Sequence, residues 1–124
     1  AHSTRTIFLD GTPHLEDLDF WMGDARGKWE GETLVVDTVS LGDKTWFDQA
    51  GNFHSDALKI VERFTPIDAT HLSYEATFED AKVFTRPWKI NLIVYRRLEK
   101  NLELLDYECA EHVYEKLFKG RGGQ

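Results

Sequence analysis

The sequence has few of the features that identify common classes of protein. It contains one cysteine, Cys109, which cannot form an intramolecular disulfide and leaves the redox compartment undetermined. The chain contains 15 Lys and Arg residues and 22 acidic residues, and its net charge of −7 argues against a nucleic-acid partner. No apolar run approaches the ~20 residues of a membrane-spanning helix, so the sequence predicts no membrane span.

Motifs for cofactor binding and nucleophilic catalysis are also missing. No glycine-rich loop lies between a strand and a helix to bind phosphate, and Ser55 lacks the setting of a nucleophile elbow. The five histidines are scattered without the short spacing of a metal site, so the sequence predicts no metal and no cofactor. A site assembled in the folded chain from His14, His54 and Asp48 stays open as an alternative.

The alternation of apolar and polar residues is the main structural signal. Residues 27–41, GKWEGETLVVDTVSL, are typical of a strand, a glycine-containing turn and a second strand. From Ala110 the apolar spacing becomes helical and predicts a helix. The other predicted strands are residues 5–9, 58–64, 72–78, 88–94 and 102–109.

These elements predict a mainly β fold. Consecutive strands with one apolar face favour an antiparallel barrel of six to eight strands, or a strongly curved sheet, with a C-terminal helix. The chain shows no strand–helix alternation of the kind that builds a parallel sheet. Its length fits a single β domain spanning residues 1–124.

Several motifs resemble those of an uncharacterised family of bacterial proteins. They are DGTPH, WMGDARGKWEGETLVVDT, DKTWFDQAGNFHSDAL, VERF and TRPW, spread from about Arg5 to Glu111. Members of this family are often exported, so the resemblance implies an exported or periplasmic protein. Longer members carry a preceding segment, which implies that this chain is the C-terminal portion of a longer precursor. The family implies no activity.

The triplet Gly27-Lys28-Trp29 bears a weaker likeness to the Gly-x-Trp motif of lipocalin-type barrels. In lipocalins the motif lies on the first strand, whereas here it follows a lead of 26 residues. The likeness implies a barrel that holds a small apolar ligand.

His54 is the first candidate for proton transfer. It lies in an aromatic loop six residues after Asp48, and histidine is the residue type best suited to proton transfer near neutral pH. A carboxylate such as Asp48 would orient the ring. The simpler alternative is a loop histidine that hydrogen-bonds the backbone.

Glu62 is the second candidate, because it falls on the apolar face of the strand at residues 58–64. Burial there disfavours the charged form of a carboxylate, which is how many acid–base sites adjust a carboxyl group for proton transfer. The simpler alternatives are a salt bridge with Arg96 or Arg97, or a bulge that turns the side chain outward.

Aromatic residues make up 13% of the chain, a content typical of a core or cavity lined by rings. The leading hypothesis is therefore a module that binds a small apolar or aromatic molecule. The rival is an acid–base enzyme (isomerase, lyase or hydrolase) with His54 and Glu62 as proton-transfer groups and Asp48 as the orienting group. A third is an interaction domain that completes its sheet with another segment or forms a homodimer. The candidate ligand-binding residues are Trp46, Trp88, Tyr74 and Tyr107.

Overall fold

The computed structural model describes residues 4–102. The chain divides into two compact units, one of them residues 5–97, which contains every strand described below. The other combines residues 1–4 with residues 98–124, and only Thr4 and residues 98–102 of it are described. The prediction of a single domain over residues 1–124 stays a prediction.

Within residues 4–102, six strands form one sheet, in which each strand is hydrogen-bonded to the next along the chain. The strands β2 to β6 run antiparallel to their neighbours, whereas β1 pairs in parallel with β2. The mainly β prediction is therefore confirmed. The strands are β1 (Ile7–Phe8), β2 (Asp24–Glu30), β3 (Thr33–Val39), β4 (Lys59–Pro66), β5 (His71–Glu79) and β6 (Trp88–Tyr95).

The predicted hairpin is present as β2 and β3. Glu30 pairs with Thr33 across a two-residue turn, and the first turn residue, Gly31, has a φ of +61°. Glycine is preferred at the first position of a two-residue turn when φ is positive there, because it has no Cβ to clash. Local sequence thus sets the register of this hairpin.

The barrel prediction is wrong for the described chain. Closure requires the two edge strands to pair, but β1 and β6 lie at opposite ends of the strand order. The strand β1 has only two residues, and its recorded partner is β2. The strand predicted at residues 102–109 and the helix predicted from Ala110 lie outside the described residues, apart from Leu102. The described residues form no helix, and so none that is long and apolar enough to cross a membrane.

The parallel pairing of β1 with β2 also differs from the all-antiparallel expectation. A parallel pair needs a long crossover connection, and residues 9–23 provide one. The pairing is close: a Cβ on Gly27 of β2 would lie 2.5 Å from Leu9 Cδ2. The glycine therefore lets the N-terminal segment pack directly against the sheet.

One face of the sheet carries the core. Val36, Glu62 and Ala76 lie in one row across β3, β4 and β5, and all three are buried. The connection between β3 and β4 covers this face, since Phe47 packs against Phe78 and Trp88 with ring centroids 5.1 and 5.4 Å apart. The predicted position of Glu62 on the apolar face is confirmed.

Thr38 of β3 is buried on the same face, and its Oγ1 has no hydrogen-bond partner among the described residues. The Thr38→Val variant replaces this hydroxyl with a methyl group of similar volume. We expect this variant to raise the free energy of unfolding, measured by urea denaturation, by about 1 kcal/mol. The reason is that a buried hydroxyl without a partner is destabilising.

Thr33 provides the matched control, because its Oγ1 hydrogen-bonds Thr65 Oγ1 at 2.8 Å. The Thr33→Val variant should lose stability. An equal loss in both variants would show that the Thr38 hydroxyl is satisfied in solution.

Candidate ligand site

A cavity of about 300 Å³ is lined by residues from β3, β4, the segment before β1, and the two connections β1–β2 and β3–β4. We call it the first cavity. Its lining is mainly apolar, with a few polar side chains that converge on the same space. The apolar residues are Trp21, Met22, Leu41, Trp46, Phe47, Leu58 and Ile60, and the polar ones are Arg5, Thr38, Thr45 and His54.

Two indole rings at this cavity are largely exposed. Trp21 is 70% exposed and Trp46 is 72% exposed, although both line the cavity. Covering a large exposed apolar side chain with a ligand removes it from water and lowers the free energy of the complex. Such residues therefore often mark binding surfaces. Trp46, a predicted ligand-binding residue, lines this cavity, and its role in binding stays a prediction.

His54 is only 3% exposed, and both of its ring nitrogens have partners. Nδ1 lies 3.0 Å from the Ser55 carbonyl oxygen, and Nε2 lies 2.7 Å from Thr45 Oγ1. A carbonyl oxygen can only accept, so in the neutral ring Nδ1 carries the proton and Nε2 accepts from the Thr45 hydroxyl. The simpler alternative stated above, a histidine that hydrogen-bonds the backbone, matches this geometry.

Asp48 has a different role from the one predicted. Its carboxylate accepts from the backbone N–H groups of Ala50 and Asn52 and from Asn52 Nδ2, which closes a tight turn. It lines another cavity, described below, and not the one that contains His54. The structure therefore does not bring Asp48 into the first cavity with His54.

Asp80 is the buried carboxylate that positions the His54 segment. It accepts from Ser55 N and Ser55 Oγ, each at 2.7 Å, and from Lys82 N at 3.1 Å. Burial alone would raise the pKa of Asp80, but the hydrogen bonds from Ser55 and Lys82 outweigh it and hold that pKa below its usual range. The carboxylate thus remains charged and fixes the backbone next to His54.

Glu62 is 5% exposed and forms a two-point ion pair. Arg5 Nη1 lies 2.7 Å from Oε2, and Arg5 Nη2 donates to Oε1 at 2.9 Å. The Tyr74 hydroxyl also donates to Oε1, at 2.8 Å. Partial burial and this bond to Glu62 raise the pKa of Tyr74 to about 12.

The recorded salt-bridge partner of Glu62 is therefore Arg5 and not the predicted Arg96 or Arg97. Glu62 itself is not part of the lining of the first cavity, whereas Arg5 is. The cavity and the buried ion pair are thus connected through one guanidinium group.

Two other predicted ring residues, Trp88 and Tyr74, do not line this cavity. Trp88 stacks on Phe78 with centroids 4.4 Å apart, and Tyr74 packs on Phe64 at 5.1 Å. Tyr107 lies outside the described residues. The contacts of Trp88 and Tyr74 are therefore those of packed rings, and Trp88 also lines a second cavity, described below.

His14 lies in a separate cluster of charges. Its Nδ1 is 3.1 Å from Asp24 Oδ2, and its Nε2 is 3.4 Å from Asp37 Oδ2. Within residues 4–102, no group of three His, Cys, Asp or Glu side chains is arranged to hold a metal ion. The alternative site built from His14, His54 and Asp48 therefore has no support in the geometry.

Sequence reasoning missed three polar residues of this region. Arg5 and Asp80 are far along the chain from Glu62 and Ser55, and nothing local shows that they meet. Asp80 had one usable signal, because an aspartate just after a strand commonly accepts backbone hydrogen bonds in a turn. Thr45 had none.

Comparisons of the chain with protein-family models, curated proteins and solved structures found no match. The bacterial family and the lipocalin likeness stay predictions.

Proposed function

We propose that this chain binds a small apolar or aromatic molecule in the first cavity. The observation that carries the proposal is the composition of the lining, where seven apolar side chains surround a few polar groups. Ligand sites in proteins are commonly apolar pockets of roughly 300–1,000 Å³ in which a few polar groups fix orientation. Here the Arg5 guanidinium and the His54–Thr45 pair supply those groups.

The geometry favours binding over acid–base catalysis. A proton-transfer enzyme needs a base and an acid that reach one ligand. The ring nitrogens of His54 contact Ser55 and Thr45, and the carboxylate of Glu62 is held by Arg5 and Tyr74. Each candidate group is thus used to organise the protein around the cavity.

The proposal is tested by calorimetric titration with 1-naphthol, a neutral two-ring probe with one hydroxyl. We expect saturable binding at one site. The Trp46→Ala variant should weaken it about fivefold or more, since a ring contact of this kind contributes on the order of 1 kcal/mol.

Trp29 is the matched control, because it is an exposed tryptophan at the end of β2 that does not line the first cavity. The Trp29→Ala variant should bind 1-naphthol as the wild type does. Absence of binding to the folded wild type, or equal losses in the two variants, would overturn the proposal.

A further inference from the structure

A second cavity, of about 400 Å³, shares Phe47 with the first cavity and has a different chemical character. Four aromatic rings line it together with one aliphatic side chain. Its polar lining is one carboxylate and one amide, and no Lys, Arg or His belongs to its described lining. The residues are Phe47, Asp48, Gly51, Asn52, Phe53, Val83, Phe84 and Trp88.

Three of the rings stand at steep angles to one another. Phe84 is perpendicular to Trp88, with an interplanar angle of 90° and centroids 5.7 Å apart. Phe47 makes an angle of 88° with Phe84 and 54° with Trp88. Rings at such angles pack edge to face, and all three also line the cavity, so its lining is largely aromatic.

Phe53 adds a fourth ring from the loop. It is exposed, and its backbone pairs with Trp46 in an isolated antiparallel bridge. The turn held by Asp48 lies between these two residues, so the loop places Phe53 and the carboxylate at the same cavity.

The charge at this cavity is negative. Hydrogen bonds from the Asn52 side chain and backbone hold the pKa of Asp48 below its usual range, so it is ionised at neutral pH. The chain as a whole carries a net charge of −7, which attracts cations and repels anions.

We propose that the second cavity binds a methylated ammonium group. The faces of aromatic rings attract cations, and quaternary ammonium ions combine a positive charge with an apolar surface that fits a ring-lined space. The carboxylate of Asp48 supplies a counter-charge at the same cavity. This proposal is independent of ligand binding in the first cavity, although Phe47 lines both.

The test compares choline with 3,3-dimethyl-1-butanol, which has the same shape but no charge. Both probes are titrated into the full chain and followed by NMR or calorimetry. We expect choline to bind at least about fivefold more tightly. Equal affinity for the two probes, or no binding of choline, would overturn the proposal.

Two variants assign binding to this cavity. Phe53→Leu removes an exposed ring face, and Asp48→Asn removes the charge while it keeps the side-chain shape. Each is expected to lower the preference for choline at least about threefold. Neither change involves a residue of the first cavity, so 1-naphthol binding reports separately on that site.

Asp68 offers the matched control, because it also closes an exposed turn by accepting from backbone N–H groups, those of Thr70 and His71. Asp68→Asn should leave choline affinity unchanged. If it lowers that affinity as much as Asp48→Asn does, the effect is one of overall charge and the proposed site is wrong.

The ammonium group could belong to a free metabolite or to a lipid headgroup. Co-sedimentation with phosphatidylcholine vesicles separates these sources. Binding to vesicles that Phe53→Leu abolishes would support the headgroup, whereas binding of choline without vesicle binding would support a free small molecule. Vesicle binding that is unaffected by Phe53→Leu and Asp48→Asn would contradict the site.

Discussion

Replacing Arg5 with methionine is expected to lower the free energy of unfolding by about 2–3 kcal/mol. The change leaves the carboxylate of Glu62 buried beside Val36 and Ala76 without its cation. The loss of one partner from a fully buried ion pair costs roughly 3–5 kcal/mol. The Arg5 side chain is 28% exposed, so water can partly replace it and we expect a smaller effect.

Urea unfolding measures this loss, and Arg63→Met is the control. Arg63 follows Glu62 in β4 and pairs with Glu30 at 3.0 Å, but both of these side chains are exposed. Water screens an exposed ion pair, so this variant should lose much less stability.

The double variant Arg5→Met/Glu62→Met separates the ion pair from a general loss of packing. Because it removes the buried charge together with its partner, it should recover part of the stability lost by Arg5→Met. If Arg5→Met were no more destabilising than Arg63→Met, the pair would contribute nothing measurable and Glu62 would have to be satisfied by Tyr74 and solvent.

The parts of the fold that sequence predicted are those decided by neighbours in the chain. The turn at Gly31 and the alternation around Glu62 depend on a few adjacent residues, and both were found as expected. The sequence left open whether the strands close into a barrel or form a curved sheet, because closure depends on whether distant edge strands meet. Apolar alternation is the same in a barrel and in an open sheet.

The candidate site shows the same limit. His54 and Trp46 line one cavity, since they lie eight residues apart in the same ring-rich connection between β3 and β4. The contacts that organise the cavity join residues far apart in sequence, Arg5 with Glu62 and Asp80 with Ser55. Asp48 was preferred as the partner of His54 because it is close along the chain, whereas the fold uses it within its own turn.

Asp80→Ala is expected to lower the free energy of unfolding by about 3 kcal/mol at neutral pH. It removes the acceptor for three hydrogen bonds, from Ser55 N, Ser55 Oγ and Lys82 N, at a site that is buried. Each donor left without a partner in a buried site costs roughly 1–3 kcal/mol, and local relaxation recovers some of this. Asp48→Ala is the control, since it removes a turn carboxylate that is exposed, and it should lower the free energy of unfolding much less.

The pH dependence of this stability loss tests whether the charged form of the Asp80 carboxylate causes it. The pKa of Asp80 is lower in the folded protein than its ordinary value of 3.8, so its charged form stabilises the fold above that pH. This contribution falls as the pH drops below 3.8 through the lower pKa of the folded state. The stability difference between wild type and Asp80→Ala, measured by urea unfolding, should therefore be constant near neutral pH and shrink in acid. A difference that stays constant throughout this acid range would show that Asp80 acts only through packing, and then Asp80→Asn should be as stable as the wild type.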